Sequence, residues 1–162
     1  MFLREGNMWD EFAHSDLFLI TTNSTVKMNG TLVMGRGIAA QAKVRFPGLD
    51  KQLGSWITNM NLRDSIYGLA VSGMWPNKKL GMFQVKTAWQ GSADLRIINK
   101  SAEMLEKWCA TQAFGSELFP TGRPIVNMNF PGIGNGRLEY RRVLPLLKRL
   151  PDNVHIWTGT RA

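Results

Sequence analysis

Two short stretches of the chain have the composition of anion-binding loops. One is NGTLVMGRGI, Asn29 to Ile38, and it runs into IAAQAKVRF, which has helical spacing. The other is PGIGNGRLEY, Pro131 to Tyr140, with Gly132, Gly134 and Gly136 inside five residues. Glycine lets the backbone approach a ligand closely and turn its N–H groups outward. A helix that follows presents the positive end of its dipole, which suits phosphate. Either stretch alone could be an ordinary tight turn. Two of them, each between a strand and a helix, suit a diphosphate gripped from both sides. Neither has the spacing of an established nucleotide signature: GxxxxGK[ST] is absent, and no GxGxxG stands in its usual place after the first strand.

The elements that must hold these loops can be read from periodicity. Met1 to Arg4 reads as a short strand ended by Gly6, and the apolar, β-branched run Asp16 to Thr22 as a buried strand. A long loop covers Asn23 to Gly37, and helices follow over Ile38 to Phe46 and, after Pro47-Gly48, over Leu49 to Ile57. Tyr67 to Ser72 and Gly81 to Val85 read as strands around a turn at Trp75 to Lys79. Ser92 to Ala110 has apolar residues near a 3.6 period, with Ser92 as the expected cap. Phe114 to Arg123 reads as a loop, Pro124 to Phe130 as a strand, Leu138 to Leu150 as a helix stopped by Pro151, and Val154 to Trp157 as a last strand. Strands alternating with helices predict an α/β fold in three layers, α/β/α, with a central mixed, largely parallel sheet. In such sheets ligands bind beyond the carboxyl ends of the strands, where both glycine stretches fall.

A chain of 162 residues suits one domain, 1–162. No apolar run approaches a membrane span, and MFLREGNMWDEF lacks the apolar region of a signal peptide, so no membrane association is expected. The single cysteine, Cys109, allows no internal disulfide and no cysteine cluster for zinc, which favours the cytosol. No set of metal ligands is visible, so the chemistry is expected to need neither metal nor cofactor. A net charge of +8 points to an acidic partner, a phosphate-rich ligand or nucleic acid, with one local cluster at Arg137, Arg141, Arg142, Lys148 and Arg149. With no heptads and no apolar stripe, a monomer is expected. Small size, methionine content and compact layout suit a phage or bacterial protein.

Three segments in order resemble macro domains. NSTVKMNGTLVMGRGIAAQAKVRF, Asn23 to Phe46, resembles their first ligand loop and helix, and GIGNGRL, Gly132 to Leu138, resembles their second loop. Between them VKTAWQGSADL, through Lys86 and Trp89, resembles the TK-x-x-W segment of one branch. That branch holds the terminal ADP-ribose glycohydrolase, the antitoxin that removes ADP-ribose from DNA and, as a related member, the yeast ADP-ribose-1″-phosphate phosphatase. The resemblance implies ADP-ribose, or an ADP-ribosylated substrate, as ligand. It implies that Asn23 and Asn29 sit near the distal ribose, that Gly35, Arg36, Gly37 and Ile38 line the diphosphate, and that Gly132, Ile133, Gly134, Asn135 and Gly136 close from the other side. LREGNM, Leu3 to Met8, matches the first strand and its adenine-binding turn, with Asn7 where the family has Asp. An amide oxygen can accept the adenine bond without a charge, so adenine recognition should weaken. Trp9 is a candidate stacking surface.

The resemblance also implies a reaction. Lys86 matches a lysine whose amine attacks the anomeric carbon or acts electrostatically, and nucleophilic work needs a lowered pKa. Asn135 stands where the human member of the branch has a catalytic Asp; it can orient a water or a ribose hydroxyl but cannot be a general base. Glu139, one helical turn on, is expected to point away, and His14 and His155 read as structural. The leading expectation is hydrolysis of ADP-ribose from a macromolecule. Phosphatase action on ADP-ribose-1″-phosphate would need help from Asn23, Asn29 or His14. A non-catalytic ADP-ribose-binding module, and a nucleic-acid-binding module without a nucleotide pocket, are the other readings.

Overall fold

The computed structural model of the protein describes residues 1–112 and 123–159. Six strands form one sheet: β1 (Phe2–Glu5), β2 (Leu17–Thr22), β3 (Leu69–Ala70), β4 (Leu80–Gln84), β5 (Val126–Asn129) and β6 (Val154–Thr158). Their order is β1-β6-β5-β2-β4-β3, and every pairing is parallel except that of β3 with β4. β2 lies between β5 and β4, with layers on both faces, so its sequence LFLITT is apolar nearly throughout, as a central parallel strand requires.

Alternation along the strands sorts side chains into two cores. Phe18, Ile20, Leu80 and Met82 face one side, where they meet Ile38, Ala39 and Ala42 of α1 (Gly37–Arg45) and Leu49, Leu53 and Ile57 of α2 (Leu49–Asn59). Leu17, Leu19, Phe83, Val126, Met128, Val154 and Ile156 face the other, against Ile98, Ala102 and Leu105 of α3 (Leu95–Thr111) and Val143 and Leu147 of α4 (Tyr140–Leu147). The result is the expected α/β/α layering around a mixed sheet.

Several elements are shorter or begin later than periodicity predicts. The strand expected over Tyr67 to Ser72 contracts to Leu69–Ala70, because Tyr67 and Gly68 give their N–H groups to the Gln84 side chain at 2.7 and 2.9 Å instead of to a ladder. α3 is capped by Asp94 and not by Ser92: the Asp94 carboxylate accepts the Arg96 N–H at 2.8 Å. Ala93 and Asp94 donate to the carbonyls of Gly136 and Val85, both at 2.8 Å, which keeps the chain extended up to residue 94. α4 begins at Tyr140 and ends at Leu147, and Pro145 inside it removes one intrahelical bond. The loop expected over Phe114 to Arg123 lies, apart from Arg123, outside the described residues. No helix among the described residues is long and apolar enough to cross a membrane.

One glycine sets where the first loop lies. A Cβ on Gly54 in α2 would stand 2.1 Å from the Gly30 carbonyl oxygen, and Leu32 donates to the Asp50 carbonyl at 2.9 Å. The loop before α1 therefore rests directly on α2, at a separation only glycine permits.

Candidate functional site

A cavity of about 560 Å³ opens beyond the carboxyl ends of β2, β5 and β4. Its floor is Thr21 and Thr22 at the end of β2 with Asn23 after it, Asn129 at the end of β5 with Phe130 after it, and Val85 and Lys86 after β4. The size falls within the roughly 300–1,000 Å³ usual for small-molecule sites. One wall is the loop entering α1, with Gly35, Arg36, Gly37 and Ile38; the other is the loop before α4, with Gly132, Ile133, Asn135, Gly136 and Arg137.

The two loops meet. Gly37 has φ +59°, in the left-handed region, and a Cβ on it would lie 3.5 Å from the Asn135 Nδ2. The first N–H groups of α1 have no intrahelical acceptor, and Arg36 at its N-cap supplies no side-chain hydrogen bond to them. The second loop is braced from behind: Gly136 donates to Ile133 at 3.2 Å, Arg137 to Gly134 at 2.9 Å, and Leu138 to Gly132 at 2.9 Å.

The cavity is cationic. Arg36, Lys86 and Arg137 all line it, and among the described residues no carboxylate does. Lys86 is half-buried, and its Nζ donates to the carbonyls of Trp89 at 3.0 Å and Gly91 at 3.1 Å. Burial pushes its amine below the usual lysine range, and the positive charges of Arg137 and Arg36 push it further the same way. A diphosphate would neutralise this cluster, and a neutral Lys86 amine would have nucleophilic capacity.

Among the expected ligand residues, Asn23, Gly35, Arg36, Gly37, Ile38, Gly132, Ile133 and Gly136 line the cavity, as do Lys86 and Asn135. Asn23 stands in the wall with its amide already engaged, donating to Val33 at 3.0 Å and accepting from Thr25 at 2.9 Å. Gly134 belongs to the second loop but not to the lining. Asn29 does not reach the cavity: its side chain closes an exposed turn on the N–H and hydroxyl of Thr31. Asn7 and Met8 are also outside it. The Asn7 Oδ1 caps a 3-10 turn at Met8–His14 by accepting from Trp9, and Met8 is fully buried. Trp9 is a core residue rather than an open stacking face, packed on Phe18 and covered by the Arg45 guanidinium 4.5 Å from its ring. Glu139 pairs with Arg141 at 2.8 Å, and His14 lies 3.7 Å from Glu11; neither lines the cavity, nor does His155.

Arg137, Trp89, Asn129 and Phe130 also line the cavity, and sequence reasoning assigned none of them to the site. Arg137 directly follows the second glycine loop, and Asn129 and Phe130 end the strand before it, so the rule that placed the loops also covers them. Asn129 ties β5 to β2, donating to the Thr21 hydroxyl at 2.9 Å and accepting its N–H at 3.3 Å. Phe130 stacks on Tyr140 with centroids 4.5 Å apart. Trp89 stands at the cavity with 43% of its surface exposed. Among the described residues no three His, Cys, Asp or Glu side chains gather as a metal-binding set.

No family model matches the chain, and no curated protein matches it in sequence. Solved structures do match. Thermosipho africanus DarTG in complex with ADP-ribose is similar at a TM-score of 0.68 and 19% identity; the match covers 97% of this chain, which spans 41% of that one. The macrodomain of Mycobacterium tuberculosis DarG gives a TM-score of 0.69 at 20% identity, and that of Thermus aquaticus DarG 0.62 at 20%, each match covering 98% of both chains.

Proposed function

Because the chain carries the macrodomain fold, we propose that it binds ADP-ribose in the cavity between its two glycine loops and hydrolyses ADP-ribose from a macromolecule. The observation that carries the binding is the contact of the loops around Gly37 and Asn135 over a cavity lined by Arg36, Lys86 and Arg137 and, among the described residues, by no carboxylate. One of the similar structures holds ADP-ribose. The diphosphate would lie against the first N–H groups of α1 and the second loop, with the arginines balancing its charge. The distal ribose would then extend over the ends of β2 and β4, toward Asn23 and Lys86.

Lys86 is the group for the chemical step. Its lowered pKa leaves more of the amine neutral. The amine attacks C1″ as the bond from C1″ to the acceptor breaks, with the bonding electrons and a proton going to the acceptor. Water then displaces the amine. The net change is one water added across the glycosidic bond, hydroxyl to C1″ and hydrogen to the acceptor. Asn135 orients the water or a ribose hydroxyl and supplies no proton transfer of its own.

A second reading is favoured by one observation. With no carboxylate among the described lining residues, the cavity has no evident general base, which suits a module that binds ADP-ribose without turnover. Calorimetric titration with ADP-ribose, followed by assays on ADP-ribosylated DNA, ADP-ribosylated protein and ADP-ribose-1″-phosphate, separates the readings. Saturable binding with release of ADP-ribose from a macromolecule supports hydrolysis. Binding with no turnover on any substrate supports the module, phosphate release alone the phosphatase, and absence of binding ends the proposal.

A further inference from the structure

Behind the cavity, a network of buried polar groups centred on Gln84 and Tyr67, neither of which lines it, joins the ends of two strands. Gln84, the last residue of β4, is fully buried, yet its carboxamide is engaged on both sides. Its Oε1 accepts the N–H groups of Tyr67 at 2.7 Å and Gly68 at 2.9 Å. Its Nε2 donates to the carbonyls of Ser65 at 2.9 Å and Lys86 at 3.1 Å. Its own carbonyl accepts the Ser101 hydroxyl at 2.7 Å. Tyr67 then reaches the neighbouring strand: its hydroxyl donates to the Asn23 carbonyl at 2.8 Å and meets the Thr22 hydroxyl at 2.5 Å. Thr22 and Gln84 are register partners in the sheet, so the chain of bonds closes around the joined ends of β2 and β4.

A strand end packed in a core can be filled by an apolar side chain at no polar cost, whereas a buried amide must find all its partners. What Gln84 supplies in return is placement. Lys86 is held at both ends, its carbonyl by Gln84 and its amine by the carbonyls of Trp89 and Gly91. We infer that Gln84 is a positioning residue, which fixes the main chain of Lys86 and, through Tyr67, ties it to Asn23 just past the end of the adjoining strand. The inference rests on the reading of Lys86 as the reacting amine.

The test is Gln84→Met, which keeps the bulk and removes the amide, with Gln84→Asn as a second variant whose amide is withdrawn from the Lys86 carbonyl. Ser101→Ala is the control, since it loosens the same strand end without touching the Gln84 side chain. Melting curves establish which variants fold. Competitive acetylation of the intact protein across pH, read by mass spectrometry at Lys86, gives the titration of that amine whether or not the protein turns over a substrate. In a folded Gln84 variant the Lys86 midpoint should rise toward the ordinary value of about 10.4, and it should stay in place in Ser101→Ala. Turnover should fall on the order of tenfold to a hundredfold, as for a displaced reacting group, while ADP-ribose affinity changes less than threefold. A Lys86 midpoint unmoved in a folded Gln84 variant, or moved equally by Ser101→Ala, overturns the inference. Absence of turnover in the unaltered protein removes the hydrolase reading and leaves the acetylation result to decide this one.

Discussion

Gly37 and Asn135 come from opposite halves of the sequence, and only the width of a methyl group separates them: a Cβ on the glycine would sit 3.5 Å from the asparagine nitrogen. A larger side chain at position 37 would fill the gap that the Asn135 amide faces. Gly37→Val should weaken ADP-ribose binding at least tenfold by calorimetry. It should also cost about 1–2 kcal/mol in denaturant unfolding, because the residue is held at positive φ. A folded variant with unaltered affinity would mean that the loops do not share one ligand.

On the proposed reading, the Lys86 amine is needed for the chemistry and not for binding. Lys86→Ala should abolish release of ADP-ribose and leave ADP-ribose affinity within a few-fold. A nucleophilic amine must be neutral, so the rate should climb with pH through the Lys86 pKa. That rise should come below the ordinary lysine value of about 10.4, since burial first, and then Arg137 and Arg36, favour the neutral form.

Removing one of those like charges has a definite sign. Arg137→Gln should favour protonated Lys86 and move the rising limb of the pH–rate profile to higher pH. The same variant should weaken ADP-ribose binding through the lost charge. A limb that stays in place would show that the Arg137 guanidinium does not act on Lys86.

Asn135→Asp brings a carboxylate into a cavity that has none among its described lining residues. If Asn135 stands at the reacting centre, the new base should speed hydrolysis at least tenfold, within the roughly 10²–10⁴ available to a positioned base. ADP-ribose affinity should fall as the carboxylate repels the diphosphate. An unchanged rate, measured on the substrate found by the assays above, would remove Asn135 from the centre.

Gly54→Ala tests the seating of the first loop on α2. A Cβ 2.1 Å from the Gly30 carbonyl oxygen cannot be accommodated without moving backbone. The variant should lose about 1–3 kcal/mol of stability, as overpacked cores do, with a lower melting temperature as readout.

The layers, most strands and both glycine loops were legible because each rests on a local signal: an apolar run over Asp16 to Thr22, a helical period over Ser92 to Ala110, glycines at the strand ends. What escaped depends on distant partners. Tyr67 reads as a strand residue until Gln84 takes its N–H. Ser92 looks like a cap until Gly136 draws Ala93 into an extended path and passes the role to Asp94. Met8 and Trp9 follow a turn that resembles a ligand site, but their apolar surfaces are used in the core. Arg137 reads as one member of a local basic cluster with Arg141, Arg142, Lys148 and Arg149, and only the fold places it at the cavity. Asn29 resembled a site residue by motif, and the local preference of Asn-Gly for a turn prevailed.

The pairing of Phe2 with His155 has a consequence for the order of assembly. The partner of β1 is β6, so on the ribosome β1 must wait, unzipped, until Val154–Thr158 has been synthesised. The central β2, β4 and β5 can associate earlier. Any interruption before Val154 would therefore strip two strands from the sheet's margin while sparing the centre that carries the cavity floor.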